Sequence, residues 1–233
     1  MRRSVIFALL TCLSAIGIGL AQQGEPGQAK GKGKGKLVAA RPPLFLKEEW
    51  KQTPAGGEHA VVPAESLANP NLELKLYGTT SKEIQLTGAA TDETNPIHLW
   101  TGLCTTPCGF ALRDKTGYAD LTGLGRIRVV TKMSGFHQVR LALKLADGTW
   151  LVGDRGEGST VDWLETEFSI SEQRWVRMDP ERVVTTGAFV ANPDLSKVDE
   201  IGFVDLMPGS GHGQGGWADV GKIEVYAKRV PRN

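Results

Sequence analysis

The chain is short of the residues that commonly build catalytic and metal centres. Among 233 residues it has three cysteines and four histidines. It contains no H-E-x-x-H zinc motif, no G-x-S-x-G nucleophile elbow and no phosphate-binding P-loop. No catalytic signature therefore stands out, and we do not predict an enzyme from motifs.

An excess of charge of one sign is also missing, and so is helical periodicity. Lys and Arg total 27 against 26 Asp and Glu, a formal net charge of +1. Nucleic-acid binders usually show a strongly basic surface, so we expect no nucleic-acid partner. No stretch convincingly places apolar residues at i, i+3, i+4 and i+7, so the pattern does not favour a helical fold.

The first 21 residues have the pattern of a signal peptide. Two arginines precede a mostly apolar stretch from Val5 to Leu20, and small residues lie just before Gln22, where we expect cleavage. The stretch is short for a transmembrane anchor and is interrupted by polar residues and glycines. A lipoprotein anchor at Cys12 is a second alternative, although Thr11 precedes it instead of Gly or Ala. We predict a secreted or periplasmic protein without a membrane span.

Residues 22–40 are rich in glycine and lysine and have almost no apolar content, so we expect a flexible linker. The remaining chain, 41–233, has the size of one domain and is mildly acidic. We expect it to fold as one β-sandwich domain and to be a monomer.

Alternating apolar and polar residues predict β-strands at several places in 41–233. Burial of every second residue favours antiparallel sheets with one wetter face. The apolar members are Leu72, Leu74 and Leu76; Val139, Leu141, Leu143 and Leu145; Leu164, Phe168 and Ile170; and Ile223 and Val225. We therefore assign the chain to the all-β class, as a sandwich of two antiparallel sheets.

Turn signals separate these strands. Asp147-Gly148 lies between two apolar runs and predicts a hairpin, and Asn69-Pro70 and Asn192-Pro193 predict turns. We expect the glycine-rich stretches Gly153–Ser159 and Pro208–Gly216 to be long connections at the ends of the sandwich.

One phrase occurs twice, 74 residues apart. Asp120–Val129 and Asp194–Phe203 both match D-L-[ST]-x-[LV]-x-x-I-x-[VF]. Asp and Ser or Thr side chains bond nearby backbone N–H groups and tighten turns. The Leu or Val that follows is expected in the core, and the alternating apolar pair begins a strand. The two phrases predict two similarly built strand starts.

Cys104 and Cys108 are the two cysteines outside the predicted signal peptide. In an exported protein such a close, even pair predicts a disulfide. A ring this small removes little chain entropy, on the order of 2 kcal/mol or less, so it would brace a loop more than the fold. A zinc site would need more ligands than these cysteines and His98.

The run from Asp120 to Tyr226 resembles a galactose-binding-type jelly roll, as in family-eleven carbohydrate-binding modules and the complex-I intermediate-associated-protein family. The resemblance lies in the two repeated phrases and in the closing strand Trp217–Tyr226. It implies a jelly roll whose first strands come from Arg41–Tyr118, and it implies sugar binding. It does not identify which residues of this chain would contact a sugar.

Two groups of residues are candidates for ligand contacts because each combines an aromatic face with polar side chains. Trp163, Glu165 and Glu167 occupy alternate positions of one predicted strand, so all three project to its wetter face. Trp150 and the Asp154-Arg155 segment form the second group, since sandwich loops often hold binding residues.

Both groups have a structural alternative. Trp100, Trp175 and Trp217 are further aromatics that could offer flat faces to sugar rings. For all five tryptophans the alternative is that a tryptophan on a sandwich face is more often partly buried structure. The glutamates can instead pair with cations on neighbouring strands, the candidates being Arg126, Arg128 and Lys144.

Metal and nucleotide signals are weak. Asp219, with Glu48 and Glu49, is a candidate for a structural calcium ion of the kind that many jelly-roll modules hold, but the chain lacks a linear calcium motif. His212 lies in a G-x-G-x-x-G sequence that leads into a strand, so we interpret it as a loop and not as a dinucleotide site. Apart from calcium, no cofactor is predicted.

Three function classes remain open from the sequence. The first is a secreted, non-catalytic module that binds a glycan or polysaccharide, and it requires an exposed aromatic face flanked by polar groups. The second is a secreted carbohydrate-active hydrolase with an unrecognised site, which requires two or three ionisable groups in one cleft. The third is an envelope or matrix protein-interaction module, which requires an apolar patch and no cleft. We predict the first.

Overall fold

The structure is a computed structural model that describes residues 40–53, 56–160, 162–209 and 216–232. The predicted signal peptide, the linker up to residue 39 and the sequence around His212 lie outside the described residues. The described part forms sixteen β-strands and two short 3₁₀ turns, and none of its helical segments has the length and hydrophobicity to span a bilayer.

The strands are, in chain order, β1 (Leu44–Glu48), β2 (His59–Ala60), β3 (Leu72–Tyr77), β4 (Gln85–Thr87), β5 (His98–Trp100), β6 (Cys108–Asp114), β7 (Gly117–Asp120), β8 (Arg126–Met133), β9 (Val139–Leu145), β10 (Trp150–Glu157), β11 (Leu164–Ser169), β12 (Trp175–Asp179), β13 (Val184–Val190), β14 (Val198–Asp205), β15 (Ala218–Tyr226) and β16 (Lys228–Pro231). The 3₁₀ turns are Ser81–Glu83 and Ile170–Glu172.

The strands form two antiparallel sheets. The seven-stranded sheet has the order β11-β8-β15-β5-β4-β2, with β1 also paired to β15. The nine-stranded sheet has the order β13-β12-β10-β9-β14-β6-β3, with β7 paired to β14 and β16 paired to β7. The predicted two-sheet antiparallel sandwich is confirmed. The stretch before Tyr118 supplies the first strands, β1 to β6.

Alternation along the strands builds one core between the sheets. From the nine-stranded sheet, β9 buries Leu141 and Leu143, and from the seven-stranded sheet, β15 buries Ile223 and Val225. These side chains belong to one continuous apolar cluster. The residues between them, such as Glu224, point away from the core and remain partly exposed.

The two copies of the repeated phrase begin strands in different sheets, β8 and β14. In both, the Asp carboxylate accepts a hydrogen bond from the backbone N–H two residues later. The distance is 2.9 Å from Thr122 N to Asp120 Oδ1 and 3.0 Å from Ser196 N to Asp194 Oδ1. Leu121 and Leu195 are buried, and Leu121 N donates to Leu195 O at 3.0 Å, so the phrases contact each other. One position differs, because Leu124 is 46% exposed while its valine counterpart is buried.

Two expectations from the pattern were wrong. The stretch Gly153–Ser159 is not a long connection, since β10 continues through Glu157. Its glycines permit close packing instead: a Cβ on Gly153 would lie 2.5 Å from Gln173 Oε1. Leu164 is 47% exposed because it begins β11, an edge strand that pairs with β8 alone.

The predicted disulfide between Cys104 and Cys108 is present. Both cysteines are fully buried at the connection from β5 to β6, and Cys104 O accepts the backbone N–H of Gly209 at 2.6 Å. The bond therefore joins the connection after β5 to the first residue of β6.

Truncation of a core leucine should test the assignment of the inner face. Leu143→Ala is expected to lower the free energy of unfolding by about 2–5 kcal/mol, because it removes fully buried methyl groups from the shared cluster. Leu164→Ala, the same chemical change at an exposed position, should cost less than about 1 kcal/mol. Urea unfolding of both variants measures the difference, and equal losses would contradict the assignment.

Candidate functional site

A cavity of about 340 Å³ lies on the outer face of the seven-stranded sheet. Alternation places its polar residues there, because Leu99 and Val220 point into the core and their neighbours His98 and Asp219 therefore point out. Strand pairing brings these neighbours together from β5 and β15, and β8 adds Lys132. The lining residues are Glu58, Thr87, Asn95, His98, Trp100, Lys132, Trp163, Trp217 and Asp219.

Three tryptophans form the walls of the cavity. Trp163 Nε1 donates to Thr94 O at 3.2 Å, and Trp217 Nε1 donates to Asp219 Oδ2 at 3.2 Å. Both indoles are partly exposed, whereas Trp100 is buried. Gly102 packs against Trp100, since a Cβ there would lie 2.3 Å from Cε2 of the indole. Trp163 and Trp217 are thus held by hydrogen bonds yet keep surface available for contact.

A bulge in β15 helps to set the position of Asp219. The pairing register with β8 shifts between Val220 and Ile223, immediately after Asp219. Trp50 donates its indole N–H to Val220 O at 2.9 Å and to Gly221 O at 2.8 Å. Bulges re-aim the side chains next to them, so the buried Trp50 fixes the backbone from which Asp219 projects.

Burial shifts the protonation of His98 and Asp219 in opposite directions. It lowers the pKa of His98 to about 4 despite a 2.6 Å hydrogen bond to Pro96 O. It raises the pKa of Asp219 to about 7, against the Trp217 hydrogen bond and the charge of Lys132. His98 Nδ1 donates to the Pro96 carbonyl, so Nε2, 3.5 Å from Asp219 Oδ1, is the acceptor. At mildly acidic pH the His98 ring is therefore neutral, with its proton on Nδ1, and the Asp219 carboxyl is protonated.

Trp163 and Asp219, which the sequence suggested for different roles, meet in this cavity. Trp150 does not: it is 7% exposed and lies in a separate apolar cluster of the nine-stranded sheet. Its ring packs edge-on against Tyr77 with centroids 4.6 Å apart. The structure thus places Trp150 and Trp163 on different sheets.

The other predicted contact residues are engaged in ion pairs. Asp154 Oδ2 lies 2.7 Å from Arg174 Nε, and Arg155 lies 2.8 Å from Glu172. Both belong to β10, where a loop was expected.

Glu165 and Glu167 form ion pairs with cations on neighbouring strands, which was the structural alternative to ligand binding. Glu165 pairs with Lys222 at 2.9 Å, and Glu167 pairs with Arg128 at 2.7 Å and Arg126 at 3.3 Å. They extend the same outer face away from the cavity as a charged surface.

The residues around the calcium candidates do not fit a calcium site. Asp219 faces an indole N–H and an imidazole nitrogen, whereas calcium prefers several oxygen ligands. Glu48 accepts backbone N–H groups that include those of Trp50 and Ala68, each at 2.8 Å, and burial raises its pKa. Glu49 pairs with Lys47 at 2.6 Å. Within the described ranges no group of three or more His, Cys, Asp or Glu side chains could hold a metal ion.

Sequence reasoning did not select Lys132 or Asn95 as site residues. Alternation from the buried Ile127 and Val129 does place Lys132 on the outer face of β8. However, only the strand order shows that β8 and β5 flank β15, which brings Lys132 next to Asp219 and into one cavity with His98.

A larger groove of about 590 Å³ lies beside β3, near the segment 63–70. Its walls contain lysine, glutamate, asparagine and aliphatic residues but no aromatic ring and no His–Asp pair. The smaller cavity with three tryptophans is therefore the stronger candidate for a functional site.

No family model and no curated protein matches this chain. Among solved structures, it is similar to the family 11 carbohydrate-binding module of the cellulosomal cellulase Lic26A-Cel5E of Clostridium thermocellum, with 17% identity, a TM-score of 0.44, and coverage of 74% of this chain and 96% of that chain. The Clostridium thermocellum family 11 module in complex with a beta-1,3-1,4-mixed-linked tetrasaccharide has 18% identity and the same TM-score and coverage. TmCBM61 in complex with beta-1,4-galactotriose has 12% identity and a TM-score of 0.37, covering 66% of this chain and 88% of that chain.

The β-sandwich thus resembles that of family 11 modules, as expected from the sequence. The part of the resemblance that concerns the complex-I family stays a prediction.

Asp219→Asn should change the pH dependence of stability with a defined sign. Folding raises the pKa of Asp219 from its ordinary value of 3.8 to about 7, so the folded protein binds more protons than the unfolded chain in that window. The Asp219 contribution therefore lowers the free energy of unfolding as the pH rises from about 4 to about 7. An asparagine at this position does not titrate, so the variant lacks this loss. As the pH rises from about 4 to about 7, its free energy of unfolding should therefore increase relative to that of the native protein, by up to a few kcal/mol.

Urea unfolding at about pH 4.5 and about pH 7.5 measures this gain. Asp147→Asn is the matched control, because the hydrogen bond from Thr149 N lowers the pKa of that exposed carboxyl. Its stability relative to the native protein should not rise across the same window. A pH-independent difference for Asp219→Asn would show that the Asp219 carboxyl titrates normally.

Proposed function

We propose that this chain is a secreted, non-catalytic carbohydrate-binding module whose sugar site is the cavity lined by Trp163, Trp217 and Asp219. One observation carries the proposal: two partly exposed indoles stand beside convergent polar side chains in one cavity. Its volume of about 340 Å³ is that of a small-ligand site.

The chemistry of the walls fits an amphipathic ring. A sugar ring has apolar C–H faces, which can pack on an indole, and hydroxyl groups at its edge, which need hydrogen-bond partners. Trp163 and Trp217 offer the faces, while Asp219, Lys132 and Asn95 offer donors and acceptors. The site therefore has both kinds of contact that a sugar requires.

Preorganisation supports binding as well. The Trp163 and Trp217 indole N–H groups are bonded within the protein, and the His98 ring lies edge-on to Trp163 with centroids 4.9 Å apart. Side chains that are already ordered lose less conformational entropy when a ligand binds.

Removal of the Trp163 face should weaken binding. Trp163→Ala is expected to reduce retention on the bound polysaccharide by about ten-fold or more, because the ring is one of the two partly exposed indole faces of the cavity. Trp163→Phe, which keeps a smaller aromatic face, should retain part of the binding. Affinity electrophoresis against a panel of soluble polysaccharides gives the measurement.

Phe189→Ala is the matched control for this experiment. Phe189 is 52% exposed and lies on β13 of the other sheet, so its loss should leave retention unchanged. Thermal unfolding of each variant checks that the fold persists. If a folded Trp163→Ala protein binds as the native protein does, the cavity is not the sugar site.

A hydrolase is the second candidate, and one observation favours it. The pKa of Asp219 is about 7, as suits a general acid, and the cavity holds a second carboxyl group, that of Glu58. We expect no cleavage, so the purified protein should release no reducing sugar from any polysaccharide that it binds. Release by the native protein but not by Asp219→Asn would establish the hydrolase instead.

A further inference from the structure

The cavity contains a cation, Lys132, that forms no ion pair with its cross-strand neighbour Asp219. Lys132 on β8 lies directly opposite Asp219 on β15, on the same face of the sheet. Opposite charges in such positions commonly pair. Asp219 instead approaches Trp217 Nε1 at 3.2 Å and His98 Nε2 at 3.5 Å. Across the part of the chain that the structure describes, the Lys132 ammonium has no carboxylate within 4 Å and no hydrogen bond.

We propose that the sugar bound in this cavity carries an anionic group, a carboxylate or a sulfate ester, which pairs with Lys132. This inference rests on the proposed function and names its ligand class. An acidic polysaccharide is thus the ligand, and its neutral counterpart binds more weakly.

Neighbouring cations on the same face are already neutralised. Lys222 pairs with Glu165 at 2.9 Å and with Glu224 at 3.6 Å. Arg126 and Arg128 both pair with Glu167. A ligand that fills the cavity removes water from the half-buried Lys132, and a desolvated ammonium without a counter-ion is unfavourable. An anionic group on the ligand supplies that counter-ion.

Asp219 does not oppose an anionic ligand at mildly acidic pH. The charged or titratable side chains that surround it in the cavity are His98 from β5, Lys132 from β8 and Glu58 from the segment before β2. Since burial keeps the Asp219 carboxyl protonated below about pH 7, the carboxyl is neutral there. A nearby anion raises its proton affinity further, so binding takes up a proton and strengthens as the pH falls.

Two matched pairs of polymers test the charge requirement. Polygalacturonate and its methyl ester differ in the carboxylate, and a sulfated galactan and agarose differ in the sulfate. The native protein should bind one or both charged members about ten-fold more tightly than the neutral counterpart. The pair that shows the preference identifies which anion binds.

Lys132→Met should abolish that preference while the protein remains folded by thermal unfolding. Lys197→Met makes the same charge change at an exposed position in front of β14, on the other sheet, and should keep the preference. The lysines of 30–36 are present in both variants, so their attraction for a polyanion cancels in the comparison.

The pH dependence is a second readout. Affinity for the charged polymer should fall several-fold from about pH 6 to about pH 8 in the native protein, and Asp219→Asn should remove this dependence. Equal binding of charged and neutral polymers, unchanged in Lys132→Met, overturns the anionic ligand but leaves the sugar site intact. Absence of binding to every polymer, charged or neutral, overturns the proposed function itself.

Discussion

The burial of apolar side chains between the two sheets is the constraint from which the site follows. Because successive residues of a strand point to opposite faces, each core residue forces its neighbours outward. Leu99 in the core sends His98 and Trp100 to the outer face of β5, and Val220 does the same for Asp219 on β15. The cavity is thus a consequence of core packing in the seven-stranded sheet, completed by Trp163 and Trp217 from beyond the strand ends.

Desolvation then determines the chemistry of the cavity. The carboxyl of Asp219 and the imidazole of His98 are both buried, and each receives too few polar contacts to offset the loss of water. The neutral form of each group is therefore favoured. On folding, the proton that His98 would hold in the unfolded chain at mildly acidic pH is held by Asp219 instead. The pair stays neutral as a whole at that pH, so Asp219 gives Lys132 no counter-charge there.

A polar cluster on the outer face of the nine-stranded sheet shows the opposite organisation. The buried carboxylate of Glu200 lies 2.7 Å from Lys75 Nζ and 2.9 Å from Lys144 Nζ, and it accepts a hydrogen bond from Tyr77. Burial alone would raise its pKa, yet these donors hold it below the ordinary value. The carboxylate of Glu200 has all its partners within the protein, so its role is structural. In the cavity around Asp219, by contrast, the ammonium of Lys132 is left for a ligand to pair with.

The sequence by itself determined the all-β class, the core faces of β3, β9 and β15, the turns at the start of the two repeated phrases, and the disulfide. These features depend on residues that are close to one another along the chain. It also suggested Trp163 as a ligand contact and Asp219 as a calcium ligand, without linking the two residues. The tertiary structure decided that Trp163 and Asp219 belong to one cavity with Lys132, and that Trp150 does not. Strand order is the physical reason, since β5, β8 and β15 become adjacent only through long-range pairing that no local pattern encodes.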